Sequence, residues 1–313
     1  MIVTVTPNPA VDRTLAVERL THGAVLRART SGSEPSGKGV NVALALRAHG
    51  YASRAVLPLG GAEGARLESM LRATELDFVA VPIHGEVRSN VNIVEPDGTV
   101  TKVNEPGPEL SAGELRALLE ASVHAAAGAD WLVACGSLPA GAPATFYADL
   151  VAAGSGASAR IAVDSSGPPL AAALKARPDL IKPNAHELAE AAGRAVNTLG
   201  DALAAARRLQ ELGAKAVLAS LGPDGAILVE GEGAVHGEAF VPDPRNTVGA
   251  GDALLAGFLA GGATGPEALR AALVWSATAV RQPGTLLRAD AAGSAVEVRL
   301  HDRLDPGRRL RHS

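Results

Sequence analysis

The chain has 313 residues, 47% of them apolar, but only four Phe, two Trp and two Tyr, so its core must be built mainly from Ala, Val and Leu. A formal charge of −4 gives no electrostatic footprint for nucleic acid, which would call for a clearly basic face, and the single cysteine, Cys135, excludes an internal disulfide framework. Residues 1 to 6 enter a strand-like run with no basic start or cleavage pattern, and no apolar stretch reaches the roughly 18 residues of a membrane span. The cytoplasm is therefore the expected compartment, with no membrane or nucleic-acid partner.

Ile2 to Val5 reads as the first strand. Val40 to His49 and Ala62 to Leu76 have helical periodicity, and Arg88 to Val103 reads as a hairpin turning at Pro96-Asp97-Gly98. Ser111-x-x-Glu114 is a capping box opening a helix to about Ala127, followed by the short apolar strand Trp131 to Cys135. Strands at Ile161 to Asp164, Leu180 to Lys182 and Ala216 to Ser220 then alternate with helices at Pro169 to Ala176, Ala185 to Gly193 and Leu199 to Leu212. Helices Ala250 to Ala260 and Pro266 to Arg281 close the pattern. This alternation predicts an α/β fold: a mostly parallel central sheet with helices on both faces and ligands at the carboxyl ends of its strands. No linker divides the chain, so we expect one domain over 1–313, with a small β lid from about 12–34 and 88–103. The basic stretch from Arg299 to Arg311 reads as part of a solvated, mobile tail over 299–313.

The segment richest in chemistry is Asn246-Thr247-Val248-Gly249-Ala250-Gly251-Asp252, followed at once by an Ala/Leu helix. Its glycines let successive N–H groups point outward at a helix N-terminus, where an anion is favoured. An acid in a first turn also serves as a dipole or cap residue, but Asp252 beside an anion hole suits phosphoryl transfer, which needs a carboxylate near the attacking hydroxyl. Ser36-Gly37-Lys38-Gly39-Val40-Asn41 offers close backbone approach, a cation and an amide for sugar hydroxyls. Gly32-x4-Gly37-Lys38 mimics a Walker A loop, yet Gly39 stands where Ser/Thr should hold Mg²⁺ and no strand leads directly into it. Asp12 ends the Thr6-Pro7-Asn8-Pro9-Ala10-Val11-Asp12 segment either as a turn residue or as a ligand group.

Taken in order, these segments resemble the PfkB, or ribokinase-like, carbohydrate kinases over nearly the whole chain, from Thr4 to about Thr285. The resemblance implies a ribokinase-like fold, with Asp252 as base and the N–H groups of Gly249, Ala250 and Gly251 as anion hole. It implies that Gly37, Lys38 and Asn41 bind the sugar, with Ser36 where the family usually has Gly, that Asp12 binds sugar hydroxyls, and that Ser137 reaches the substrate. Arg27 and Arg88 match the phosphate-binding arginines of the branch that acts on sugar phosphates; read alone, they are surface groups. In Lys182-Pro183-Asn184-x-x-Glu187, Asn184 and Glu187 form a helix cap, and by resemblance they also order Mg²⁺ and its waters near Lys182 and the ATP phosphates. Ser220, Gly222 and Gly225 lie on a β-turn that by resemblance borders the nucleotide.

The reaction that the resemblance implies is ATP-dependent phosphorylation of a sugar phosphate, with fructose 1-phosphate giving fructose 1,6-bisphosphate. Tagatose 6-phosphate or fructose 6-phosphate, then a free sugar, are the alternatives, and a non-catalytic sugar-phosphate sensor is the reading from another class. A homodimer formed through the lid is the expected assembly. Cys135 reads as a small buried residue, the eight histidines show no metal spacing, and Gly231-x-Gly233-x3-Gly237 lacks the spacing of a dinucleotide fingerprint.

Overall fold

The computed structural model describes residues 1–157, 159–242, 244–282, 296–301 and 303–311. Its main sheet is parallel over seven strands: β11 (Ala216–Ser220), β10 (Leu180–Ile181), β9 (Arg160–Asp164), β8 (Trp131–Cys135), β1 (Ile2–Val5), β4 (Ser53–Leu59) and β5 (Asp77–Pro82). Three antiparallel strands extend it beyond β11: β12 (Ala226–Glu230), β13 (Gly233–Ala239) and β14 (Val298–His301). From β1 the chain builds outward through β4 and β5, then returns to the other side of β1 at β8, which makes the β1/β8 border the switch point where such sheets open a ligand crevice.

Burial follows from the sequence. The parallel strands are near-continuous apolar runs because helices cover both faces. One face carries α3 (Ala112–Ala125), α4 (Phe146–Gly154), α5 (Gly167–Lys175), α6 (Ala185–Ala192) and α7 (Leu199–Glu211), packed through Leu118, Tyr147, Leu150, Leu170, Leu188 and Leu209. The other carries α1 (Lys38–Ala48), α8 (Ala250–Ala260) and α9 (Gly265–Val280), packed through Leu46, Leu255, Phe258 and Leu269. A third cluster joins α1 to α2 (Gly61–Ala73) through Ala43, Leu57, Leu67 and Leu71. Among the described residues no helix is long and apolar enough to cross a membrane.

A separate four-stranded sheet, ordered β3-β2-β6-β7, combines β2 (Ala10–Ala16), β3 (Thr30–Ser36), β6 (Arg88–Val94) and β7 (Val100–Val103). The 88–103 hairpin is not free-standing, since β6 runs parallel to β2 and pairs Asp12 with Asn90 and Thr14 with Asn92. Ser36, the departure from the family pattern, is a buried strand residue paired with Ala10, and the positive φ falls on Gly37 instead.

Several elements differ from sequence expectation. β4, β5, β13 and α4 were not anticipated; β13 carries two glycines and exists because β12 and β14 supply pairing on both edges. The segment expected as a solvated tail is docked over its described part: β14 pairs with β13, Leu310 is buried, and its N–H donates to the Asn197 carbonyl at 2.8 Å. The reason is a buried acid, Asp224, whose charge needs the arginines of that segment. Thr285, the expected limit of family resemblance, lies outside the described residues.

Candidate active site

The carboxyl ends of the neighbouring parallel strands β1, β8 and β9 lie side by side, where a sheet of this kind opens its ligand crevice. Just past β1, buried Asn8 donates from Nδ2 to the Pro106 carbonyl (3.0 Å) and to Ser137 Oγ (3.3 Å), joining the first loop to the loop after β8. At the end of β9 stands Asp164, fully buried, a residue the sequence reading took only as the last position of a strand. Its Oδ1 accepts from Lys38 Nζ at 2.7 Å and its Oδ2 lies 3.2 Å from Lys182 Nζ. Lys38 also lies 3.6 Å from Glu187 Oε1. Burial alone would raise the Asp164 carboxyl, but the two ammonium groups outweigh it and hold the carboxyl below its ordinary value. Burial likewise opposes the Lys38 charge and is outweighed by Asp164 and Glu187, so that its ammonium is held above its usual value. A carboxyl at the end of a buried parallel strand was the one signal from which Asp164 could have been found.

Asp252 sits in the first turn of α8, after Gly249, whose φ of 79° is a left-handed conformation that favours glycine. The Asp252 carboxylate is buried and accepts from Asn41 Nδ2 at 2.8 Å, which ties α8 to α1. Burial first, and the Asp164 charge second, push its carboxyl up to about 6. Gly251 lies so close to Lys182 that a Cβ there would stand 3.3 Å from Nζ. Gly251, the last residue of the expected Gly249-Ala250-Gly251 anion hole, is thus beside Lys182, with Asp252 one residue on. Asn41 Oδ1 and Asn8 Oδ1 are buried and have no partner among the described residues, so both can accept from a hydroxyl.

Asp12 is not a turn residue but a buried member of β2, accepting from Asn90 Nδ2 (2.9 Å) and Asn92 Nδ2 (3.5 Å). These asparagines were missed because their amides gain a role only when β6 pairs with β2. Lys102 of β7 pairs with Asn92, and its ammonium feels both Asp12 and Asp252 while partial burial lowers its pKa. Arg88 donates through Nη1 to the Glu105 carbonyl (2.9 Å) and through Nη2 to the Asn8 carbonyl (3.0 Å), leaving a buried Nε without a partner. Arg27 lies on the exposed loop between β2 and β3 and makes no hydrogen bond or ion pair among the described residues, so no contact ties it to Arg88 in this structure.

Asn184 and Glu187 form a reciprocal capping box at the start of α6. The Asn184 N–H donates to Glu187 Oε2 (2.9 Å), and the Glu187 N–H donates to Asn184 Oδ1 (2.8 Å). That leaves Glu187 Oε1 facing Lys38, a carboxylate oxygen suited to a hard cation held through water. Ser220 bridges to Asn184 and leads into the turn containing Gly222 (φ 60°) and Gly225 (φ 81°). Cys135 is fully buried, and burial pushes its thiol well up, so it is not a nucleophile here.

Gly37 has a φ of 125°, and a Cβ there would stand 2.6 Å from Thr6 Cγ2. Gly37→Ala should therefore shift the start of α1, and with it Lys38 and Asn41. We expect a loss of about 1–3 kcal/mol in urea unfolding together with a raised KM for the acceptor. An unchanged acceptor KM would separate Gly37 from the site.

Residues 6–291 match the pfkB family carbohydrate kinases. The chain belongs to this family. It is 42% identical to 1-phosphofructokinase of Rhodobacter capsulatus over 263 residues, covering 82% of each chain. It is 37% identical to 1-phosphofructokinase of Bacillus subtilis strain 168 over 263 residues, covering 83% of this chain and 85% of that one. The crystal structure of phosphofructokinase-2 from Escherichia coli in complex with substrates and products superposes with a TM-score of 0.87 at 31% identity, covering 93% of this chain and 96% of that one. The ribokinase-like fold expected from the motifs is therefore the fold found. The carbohydrate kinase so identified uses ATP as its phosphoryl donor, and Asp164, Lys38, Lys182 and Asp252 form the charged centre of its crevice.

Proposed function

We propose that this kinase transfers the γ-phosphoryl group of ATP to the 6-hydroxyl of fructose 1-phosphate, giving fructose 1,6-bisphosphate. The observation that carries the reading is Asp252: a buried carboxylate raised to about 6, hydrogen-bonded to Asn41, at the glycine-rich N-terminus of α8. A base of that pKa is ionised at neutral pH yet still takes up a proton readily. Asp252 accepts the hydroxyl proton as the oxygen attacks phosphorus, while the Gly249 to Gly251 N–H groups and Lys182 offset the charge on the phosphoryl group in transit. Asp12, held by Asn90 and Asn92, and Asn41, held by Asp252, orient the sugar hydroxyls. Arg88 and Lys102 face the acceptor's phosphate, with Arg27 joining from its loop.

The fit of Glu187 Oε1 supports Mg²⁺ held through water, with Asn184 fixing that carboxylate; when bound, the cation neutralises charge on the ATP phosphates. Ser137 and Gly37 line the sugar side, and Ser220, Gly222 and Gly225 the nucleotide side. A second copy joined through the lid belongs to the same reading, since Val25 and Val103 there are 87% and 56% exposed. Light scattering giving a monomer mass would remove that part. The compartment is the cytoplasm.

The deciding experiment follows ADP release with Mg-ATP and fructose 1-phosphate, fructose 6-phosphate, tagatose 6-phosphate, fructose or ribose. A kcat/KM for fructose 1-phosphate about 100-fold above the others, or about 2.7 kcal/mol, is the expected result. Preference for another sugar phosphate changes the substrate and keeps the mechanism. Preference for a free sugar refutes the phosphate-binding role of Arg88 and Arg27, and binding without turnover restores the sensor reading.

A further inference from the structure

The turn Gly222–Asp224, which the proposed function sets beside the nucleotide, is held in shape by residues more than eighty positions away. Asp224 is 1% exposed, and a buried carboxylate requires partners. Its side-chain partners come from the C-terminal segment: Oδ1 accepts from Arg308 Nη2 and Arg311 Nε, each at 3.1 Å, and Oδ2 accepts from the Arg311 N–H at 2.6 Å. Arg311 Nη2 also donates to the Pro223 carbonyl, and His236 Nε2 approaches the Asp224 carbonyl at 2.8 Å. A carbonyl oxygen only accepts, so Nε2 of His236 carries the proton.

The C-terminal segment is itself fixed. Arg308 forks onto Glu238 of β13, using Nη1 (2.7 Å) and Nη2, and this arginine first of all holds the Glu238 carboxyl down at about 2. His301 Nε2 shares Glu238 Oε2 at 2.7 Å. His236, Glu238 and His301 together could be read as a metal site, but both Glu238 oxygens are engaged by Arg308. The Leu199 N–H donates to the Arg308 carbonyl at 2.9 Å, and Thr198 bridges to Arg309, which seats the segment on the start of α7. On the other side of the turn, a Cβ at Gly225 would stand 1.9 Å from the Gly237 carbonyl. The turn is thus pressed against β13 from one side and gripped through Asp224 from the other.

We propose that Arg308 and Arg311 act as positioning residues for nucleotide binding: through Asp224 they set the backbone of the Gly222–Gly225 turn at the distance ATP requires. Nucleotide affinity then depends on a segment outside the crevice, because a displacement of about 1 Å in a binding loop is enough to weaken its contacts. The proposal rests on the nucleotide role assigned to this turn above.

The test compares the full-length parent with Arg308→Ala, Arg308→Lys, Arg311→Ala and Asp224→Asn, measuring KM for Mg-ATP, KM for the acceptor, kcat and Mg-ADP affinity by titration calorimetry. Arg308→Ala should raise the KM for Mg-ATP and the Kd for Mg-ADP about 5–20-fold, with acceptor KM within about twofold and Arg308→Lys between it and the parent. In an Asp224→Asn background, Arg308→Ala should add less than it does alone, because the acid it serves is no longer charged. Unchanged Mg-ADP affinity in a folded Arg308→Ala protein overturns the proposal, as does an equal rise in both KM values, which would mean general loosening. If Arg308→Ala fails to fold, Arg311→Ala and Asp224→Asn decide by the same criteria. A parent that binds no Mg-ADP would instead refute the nucleotide reading of the turn, and the proposal with it.

Discussion

Asp252→Asn should lower kcat by about 10²-fold or more, the scale of losing a general base, while the KM values for ATP and acceptor stay within a few-fold. The amide keeps the size of the side chain and can still accept from Asn41 Nδ2, so the packing of α8 on α1 is preserved. The parent's kcat/KM should fall as pH drops through about 6, where burial and Asp164 have moved this carboxyl. Stability runs the other way. A folded-state value raised from 3.8 to about 6 means that the folded chain holds this proton more tightly than the unfolded one. The contribution of Asp252 to folding is therefore full below about 3.8 and is lost as pH rises through about 6. Thermal unfolding should accordingly show Asp252→Asn gaining on the parent as pH rises from 3.8 through about 6, with no further gain well above that value. Equal turnover in the variant would remove Asp252 from the chemistry.

The second large effect is expected at Asp164. Asp164→Asn removes the negative charge that pairs Lys38 on Oδ1 and Lys182 on Oδ2, and the amide NH2 that replaces one of those oxygens is a donor that cannot accept from an ammonium group. Uncompensated buried charge of this kind costs about 3–5 kcal/mol, read as a loss in chemical unfolding. Because Asp164 is held below its ordinary 3.8 when folded, its stabilisation is present above that value and lost as pH falls through the lower one. The deficit of the variant should thus be full at neutral pH and shrink in acid. KM for both substrates should rise together, since the family resemblance sets Lys38 on the sugar side and the proposed function sets Lys182, beside Gly251, at the phosphoryl group. A variant as stable as the parent at pH 7 would show that the lysines do not depend on Asp164.

Much of the site was legible because its chemistry is local. Gly249 to Asp252, Gly37 to Asn41 and Asn184 to Glu187 each join a turn to a helix start, and the glycines, cap residues and following apolar run that define such a junction are contiguous in sequence. The strands Trp131–Cys135 and Ala216–Ser220 were bounded correctly because buried parallel strands are short apolar runs between breakers. By contrast, β13, with Gly233 and Gly237, has little intrinsic strand preference and depends on its neighbours.

By itself, then, the sequence determined the α/β alternation, the helix-start motifs and the kinase family, since each depends on residues within a few positions of one another. Only the tertiary structure decided that Asp164 joins Lys38 to Lys182, that Asn90 and Asn92 hold Asp12, and that the basic C-terminal stretch is docked on Asp224. All of these are pairings of charge or amide across strands and loops far apart in the chain. A carboxylate's partner is set by where folding removes it from water, and no spacing in the sequence records that.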